Sequence, residues 1–322
     1  MNKYFILFAF CKPVRGRNKS IICNLQKAKI KFIPNSLYDV LQLLASKPYS
    51  EVSAMFNKNE LSTFNEYINF LIKENFGFFT NCPENFGKLE TFWDTPQFIN
   101  NAIVEYAFSG YNIHSLLQQL DNLLCKHVEL RIFDFDKKNL SELYNIMQFF
   151  EDKTFVSVTL ILTDAQSITE KEIDILINGK NKLTNIIFYS SSTYKNKIIN
   201  NIPVQYQTEI FDTASKKEFP IDKFIVTIDF FLEALQYNPY YNKKICVSKT
   251  GLIKNCIKHT NSFGNINELE LEKIMNNNEF KKLWFISHDK IIEIRDSELR
   301  YTILVSNNLK EVAPDLYSII TG

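Results

Sequence analysis

Cys246-Val-Ser-Lys-Thr-Gly251-Leu-Ile-Lys-Asn-Cys256 is the stretch whose reading decides the fold. Two short apolar arms flank a turn closed by glycine, so it reads as a β-hairpin with one cysteine on each arm. Ser262-Phe-Gly264-Asn265-Ile266 and a short amphipathic helix follow. Further on, Asp296-Ser-Glu298-Leu-Arg300-Tyr301 forms a dense polar motif.

The hairpin resembles the opening of the SPASM domain, the C-terminal iron–sulfur module of radical-SAM enzymes that modify peptides. Cys246, Gly251 and Cys256 fit its first cysteine spacing, and Asp296–Tyr301 resembles the polar core of its second cysteine group. The four cysteine positions of that second group read Ile294, Ser297, Ile303 and Ser306. A [4Fe-4S] cluster is held by four thiolates, which neither Ile nor Ser replaces. More narrowly, the chain resembles the grasp-with-spasm maturase family, encoded beside an ATP-grasp ligase and a precursor peptide. The likeness runs through Ser36-Leu-Tyr, Phe76-Gly-Phe-Phe79, Tyr241-Asn-Lys-Lys and Phe263-Gly-Asn-Ile266.

Composition bounds what such a protein is built for. At 322 residues it has room for two or three domains. A net charge of +1 argues against a surface made for nucleic acid or membrane. The charge is uneven, however: Lys3, Lys12, Arg15, Arg17, Lys19, Lys27, Lys29 and Lys31 precede the first acid, Asp39. The apolar run Tyr4–Phe10 is far short of the roughly 20 residues of a membrane span and reads as a buried strand. Six widely spaced cysteines suit reduced thiols and a cytoplasmic location.

The first 80 residues read as a small winged-helix-like domain. Strands are expected at Ser20–Leu25 and Lys29–Ile33. A helix follows with Leu37, Val40, Leu41 and Leu44 on one face, then a short one burying Val52, Met55 and Phe56. A third, from about Ser62, buries Phe64, Ile68, Leu71 and Ile72; Gly77 ends it and Phe78-Phe79 returns extended. The spacing resembles the peptide-recognition domain of ribosomal peptide biosynthesis, in which a leader peptide adds as a strand to a sheet edge beside the third helix. By position, the resemblance implies Lys29 and Lys31 on the receiving strand and Tyr67, Asn69 and Lys73 along the helix as peptide-binding residues. A DNA-reading winged helix needs a basic recognition helix, but this one offers Lys73 against Glu66 and Glu74.

Residues 81–95 read as a linker. Beyond it, strands near Phe98–Glu105, Val128–Phe133, Phe155–Leu162 and Asn185–Tyr189 alternate with helices Ile113–Leu124, Leu140–Phe150 and Thr169–Ile177. Further strands are expected at Val204–Phe211 and Phe224–Ile228. The alternation argues a parallel sheet of βαβ units. The resemblance turns this into a partial (β/α) barrel of radical-SAM type over residues 96–240, with a degenerate SPASM-like module at 241–322. The expected class is thus α/β with α+β parts.

A radical-SAM barrel carries three clustered cysteines in the loop after its first strand, where this chain has Tyr106-Ala-Phe-Ser-Gly110-Tyr111-Asn112. Its Gly-Gly-Glu segment after the second strand is here Phe133-Asp134-Phe135-Asp136-Lys137. The reading is a pseudo-enzyme with no cofactor, a peptide-presenting subunit whose partners are a precursor peptide and an ATP-grasp ligase. Two other readings stay open. One is a peptide-modifying or metal-dependent enzyme with a remnant site at Cys246, Cys256 and His259, with His288 as a further ligand. The other is a purely structural docking or dimerisation subunit. Asp134 and Asp136 read as a helix-capping turn, and Ser190-Ser-Ser192 lacks the glycines of a nucleophile elbow.

Overall fold

The computed structural model describes residues 3–163, 168–212 and 224–320. The protein is a mixed α/β chain that divides into two compact units. One comprises Met1–Asp94, Glu218–Tyr240 and Phe285–Gly322, the other Thr95–Lys217 and Tyr241–Trp284. The chain passes between the units at 94/95, 217/218, 240/241 and 284/285, so each unit gathers segments distant in sequence.

In the first unit, β1 (Tyr4–Leu7) pairs antiparallel with β5 (Gly77–Thr80), while β2 (Cys11–Arg15), β3 (Ser20–Asn24) and β4 (Lys29–Ile33) form an antiparallel meander. Strand β2 was not expected from the sequence. All five residues of β3 are buried, because apolar side chains leave both of its faces. Ile22 and Ile33 pack on α1 (Asn35–Leu44), α2 (Tyr49–Ser53) and α3 (Lys58–Lys73), through Leu37, Val40, Leu41, Leu44, Val52, Phe64, Ile68 and Leu71. On the opposite face Val14, Ile21, Cys23 and Leu25 pack on Trp93, Val226, Phe231, Leu232, Ala234 and Tyr301. Trp93 donates its indole N–H to Asp229 at 2.8 Å, tying residue 93 to the later helix Ile228–Gln236. A sheet coated on both faces needs both coats, so the first unit recruits two distant segments.

Helix α3 begins earlier than Ser62 because Asn57 and Glu60 form a capping box. Gly77 does not end it. Asn75 adopts the left-handed conformation (φ 56°), Phe76 N–H donates to Leu71 O at 2.9 Å and Asn75 N–H to Ile72 O at 3.0 Å, a Schellman stop. Gly77 is needed instead for close approach, since a Cβ there would run into the carbonyl oxygen of Ile6 across the β1–β5 ladder. Two expected core residues are surface ones: Ile72 is 44% and Met55 47% exposed.

The turn between β2 and β3 is held by the Asp296–Tyr301 motif. Arg17 N–H donates to Asp296 O at 2.8 Å, Lys19 Nζ lies 3.6 Å from Glu298, and Arg300 Nη1 donates to Arg15 O at 2.6 Å. Tyr301 OH lies 2.9 and 2.7 Å from the two Asp289 carboxylate oxygens, and its ring packs edge-on against Phe231.

The second unit is built on an eight-stranded sheet. In chain order its elements are β6 (Asn101–Tyr106), α4 (Ile113–Asn122), β7 (His127–Ile132), α5 (Leu140–Glu151), β8 (Ser157–Leu162), α6 (Glu170–Ile177), β9 (Leu183–Phe188), β10 (Lys195–Ile199), β11 (Ile202–Tyr206), β12 (Lys244–Val247) and β13 (Ile253–Lys254). The spatial order is β10-β11-β9-β8-β7-β6-β12-β13. Strands β6 to β9, β11 and β12 run parallel; β10 and β13 are antiparallel edges. From β6 to β9 each parallel strand adds beside its predecessor, as the βαβ alternation predicts.

Three details differ from the sequence reading. Strand β10 was missed, although Asn200 and Asn201 both take positive φ (48° and 66°) as a tight two-residue hairpin turn requires. The expected strand Val204–Phe211 stops at Tyr206. Phe224–Ile228 is no strand: Thr227 accepts a hydrogen bond from Phe230 N–H at 3.2 Å and caps the helix that starts at Ile228. The Cys246–Cys256 hairpin is present as β12–β13, but β12 also pairs with β6 and so extends the large sheet. Among the described residues, no helix is long and apolar enough to cross a membrane.

Candidate functional site

Strand β4 is the outer strand of its meander, so alternate N–H and C=O groups face away from β3. Lys29 and Lys31 are exposed on it, and so is Phe32, at 48%. The side chains of Lys29, Lys31 and Ile33 share one face; Ile33 enters the helical core, so the lysines flank α3. Lys31 Nζ lies 3.1 Å from Glu74 and 5.9 Å from the Phe70 ring centroid. Tyr67 is half-buried and shares a 2.6 Å hydrogen bond with Ser36 Oγ on α1. Tyr67, Phe70 and Glu74, at i, i+3 and i+7, form the wall of α3 beside the strand. Lys19 Nζ sits 3.9 Å over the Phe32 ring.

Of the residues named from sequence, Lys31 and Tyr67 thus stand at one groove, with Lys29 further along its strand. Asn69 and Lys73 lie one position before Phe70 and Glu74, about 100° round the helix, on its exposed surface. Phe70 and Glu74 were missed. Their signal was the continuation of the Tyr67 stripe at helical spacing.

The carboxyl end of the parallel sheet is where βα loops would hold a cofactor. Residues 107–112 after β6 contain no thiol, and Phe108 takes φ 56°, unusual for a bulky residue. The Phe108 ring meets Tyr106 at 5.5 Å and Phe135 at 6.1 Å, Tyr106 meets Tyr111 at 5.5 Å, and Phe211 meets Phe133 at 5.7 Å and Tyr189 at 4.9 Å. Arg131 lies 5.3 Å from the Phe211 ring centroid and pairs with the buried Glu105 at 3.5 Å and with Glu129 at 2.5 Å. Burial raises the Glu105 pKa and Arg131 opposes the rise. This donor set does not fit an iron–sulfur cluster, which needs soft thiolates. Asp136 caps the turn after β7, accepting from Lys138 N–H, and Asp134 sits at φ 51° in that turn.

Cys246 and Cys256 are both buried. Cys246 directs its Sγ at Asn255 O (3.6 Å), and burial pushes its thiol up to about 12. His259 stacks on the fully buried Tyr241 at 5.7 Å. His288 is buried, its Nδ1 engaged with Arg300 O, and burial lowers its pKa. Among the described residues no three His, Cys, Asp or Glu side chains converge in a metal-binding group.

No protein-family model matches the chain, and no curated protein matches it. Among solved structures, Streptococcus suis SuiB bound to S-adenosylmethionine is similar over 97% of this chain and 98% of its own, at 11% identity and a TM-score of 0.29. SuiB bound to its precursor peptide SuiA is similar over 87% and 88%, at 10% identity and a TM-score of 0.23. The likeness is distant.

Proposed function

We propose that this chain is a non-catalytic accessory protein of ribosomal peptide biosynthesis, binding the leader of a precursor peptide as an added strand on β4 and presenting it to a partner ATP-grasp ligase. The observation that carries the reading is the open edge of β4 beside the Tyr67–Phe70–Glu74 wall of α3. An extended peptide there gains backbone hydrogen bonds from the edge and side-chain contacts from Phe32 and Phe70. Lys29 and Lys31 repel a second copy of the same edge and attract an acidic strand. In this reading the first 80 residues act as a winged-helix-like recognition domain. The parallel sheet is a vacated partial barrel and the Cys246–Tyr301 region a degenerate SPASM-like module. The thiol-free, ring-lined carboxyl end of the sheet supports a role without radical chemistry.

The test is fluorescence anisotropy of the labelled co-encoded precursor peptide on the full-length protein, with Lys29→Glu/Lys31→Glu beside wild type at two salt concentrations. The double reversal should weaken binding about tenfold or more, and added salt should weaken the wild type. Unchanged binding by the reversed variant would overturn the assignment to β4. Absence of binding by the wild-type protein would overturn peptide capture altogether.

A further inference from the structure

A second feature of the first unit lies along its amino-terminal stretch. Residues 5–13, 83 and 85–91 line a trough of about 880 Å³ together with Leu41 and Leu44 of α1 and Ala45 just after it. A continuous ladder of rings lines it and joins the two stretches. Phe10 stacks on Phe8 at 5.5 Å, Phe8 meets Phe78 at 5.1 Å, and Phe78 meets Phe86 edge-on at 4.8 Å. Phe8, Phe10 and Phe78 are half-buried and Phe86 is 46% exposed, so the ladder presents its rings rather than sealing them.

Lys12 also lines this trough. It is half-buried and has no hydrogen-bond or ion-pair partner among the described residues. Lys88 lines it too, close enough to act on Lys12 electrostatically, and burial together with Lys88 lowers the Lys12 pKa. Glu90, the carboxylate of the lining, is exposed and pairs with neither lysine. A half-desolvated ammonium without a counter-charge is costly, and a carboxylate brought to it removes that cost. Pockets of this size are ordinarily apolar with a few polar groups that fix orientation, and Lys12 is such a group.

We infer that this trough is a docking site for an extended peptide segment in which a carboxylate side chain, set against Lys12 and Lys88, is flanked by large apolar side chains lying on the Phe8–Phe10–Phe78–Phe86 ladder. The trough runs along residues 11–13 of β2, an outer strand of the meander, which favours an extended peptide over a compact small molecule. The inference stands apart from strand addition at β4, on the other edge of the meander from β2.

The experiment uses the full-length protein and two fluorescein-labelled probes, the peptide Phe-Leu-Glu-Phe-Leu and its Gln counterpart. Wild type should bind the Glu probe about tenfold more tightly than the Gln probe. Lys12→Gln should erase that preference, Phe86→Ala should weaken both probes without lowering the melting temperature, and Lys31→Glu should change neither. Equal affinity for the two probes, or no binding of either by wild type, overturns the proposal. Equal loss with Lys31→Glu and Lys12→Gln also overturns it, because the probe then sits on β4. Full displacement of the Glu probe by laurate at matched concentration overturns the peptide assignment in favour of a lipid carboxylate.

Discussion

Arg17, on the turn between β2 and β3, places Nη2 2.5 Å from Oδ2 of Asp296, a residue 279 positions later in the chain. Both side chains are substantially exposed, so the pair itself contributes little to stability, about 0–1 kcal/mol. Its meaning is topological: the motif around Asp296 belongs to the same compact unit as the amino-terminal strands. Arg17→Glu should therefore lower stability by no more than about 1 kcal/mol in a denaturant titration of the full-length protein.

A Met1–Thr80 fragment should fail to fold cooperatively. It keeps the helical coat of β3 but loses Trp93, Phe231, Leu232 and Tyr301, leaving Val14, Ile21, Cys23 and Leu25 uncovered. At about 1.5–3 kcal/mol for each large apolar side chain returned to water, the loss is comparable to the whole stability of a small domain. A cooperative thermal transition by circular dichroism in that fragment would contradict the two-coat description.

Tyr301→Phe should cost about 1–2 kcal/mol through loss of the hydroxyl's bonds to Asp289. The same hydroxyl gives an alkaline signature. Burial and then the Asp289 hydrogen bond raise its pKa from 10 to about 12. The unfolded chain ionises first, so this stabilisation is intact below pH 10 and is lost as pH rises toward 12. Urea midpoints across that range should fall more steeply for wild type than for the Phe variant.

Glu105 and Arg131 should respond unequally to substitution. Burial raises the folded-state pKa of Glu105, so its contribution is present below the ordinary glutamate range and is lost as pH rises through the folded value. Glu105→Gln should accordingly be neutral or stabilising at neutral pH and should flatten that part of the pH profile. Arg131→Met leaves a buried carboxylate without its cation and should cost about 3 kcal/mol or more, read from denaturant midpoints.

Thiol titration distinguishes the six cysteines. Cys82 is exposed, whereas Cys11, Cys23, Cys125, Cys246 and Cys256 are buried. One thiol should react with an aromatic disulfide reagent in the native protein and the rest only on unfolding. Rapid native reaction at Cys246 would mean that the β12–β13 hairpin opens.

Much of the secondary structure was legible because local rules set it. The four buried residues of α1 and the βαβ alternation follow directly from periodicity. The β10–β11 hairpin was written in Asn200-Asn201 and overlooked. At the candidate groove, Lys31 and Tyr67 were legible, while Phe70 and Glu74 were displaced by one position. Counting Ile72 as core turned the expected face of α3 away from the strand.

By itself, then, the sequence determined most of the helices and strands, the basic start of the chain and the absence of cysteine from residues 107–112 and 133–137, since each depends on residue type and short-range spacing. Only the tertiary structure decided that β3 is covered on both faces by segments distant in sequence, that Asp296–Tyr301 clasps the β2–β3 turn, and that β12 joins the large sheet. Those outcomes depend on which apolar faces meet, and hydrophobic burial, being non-directional, leaves no mark of its partner in either segment alone.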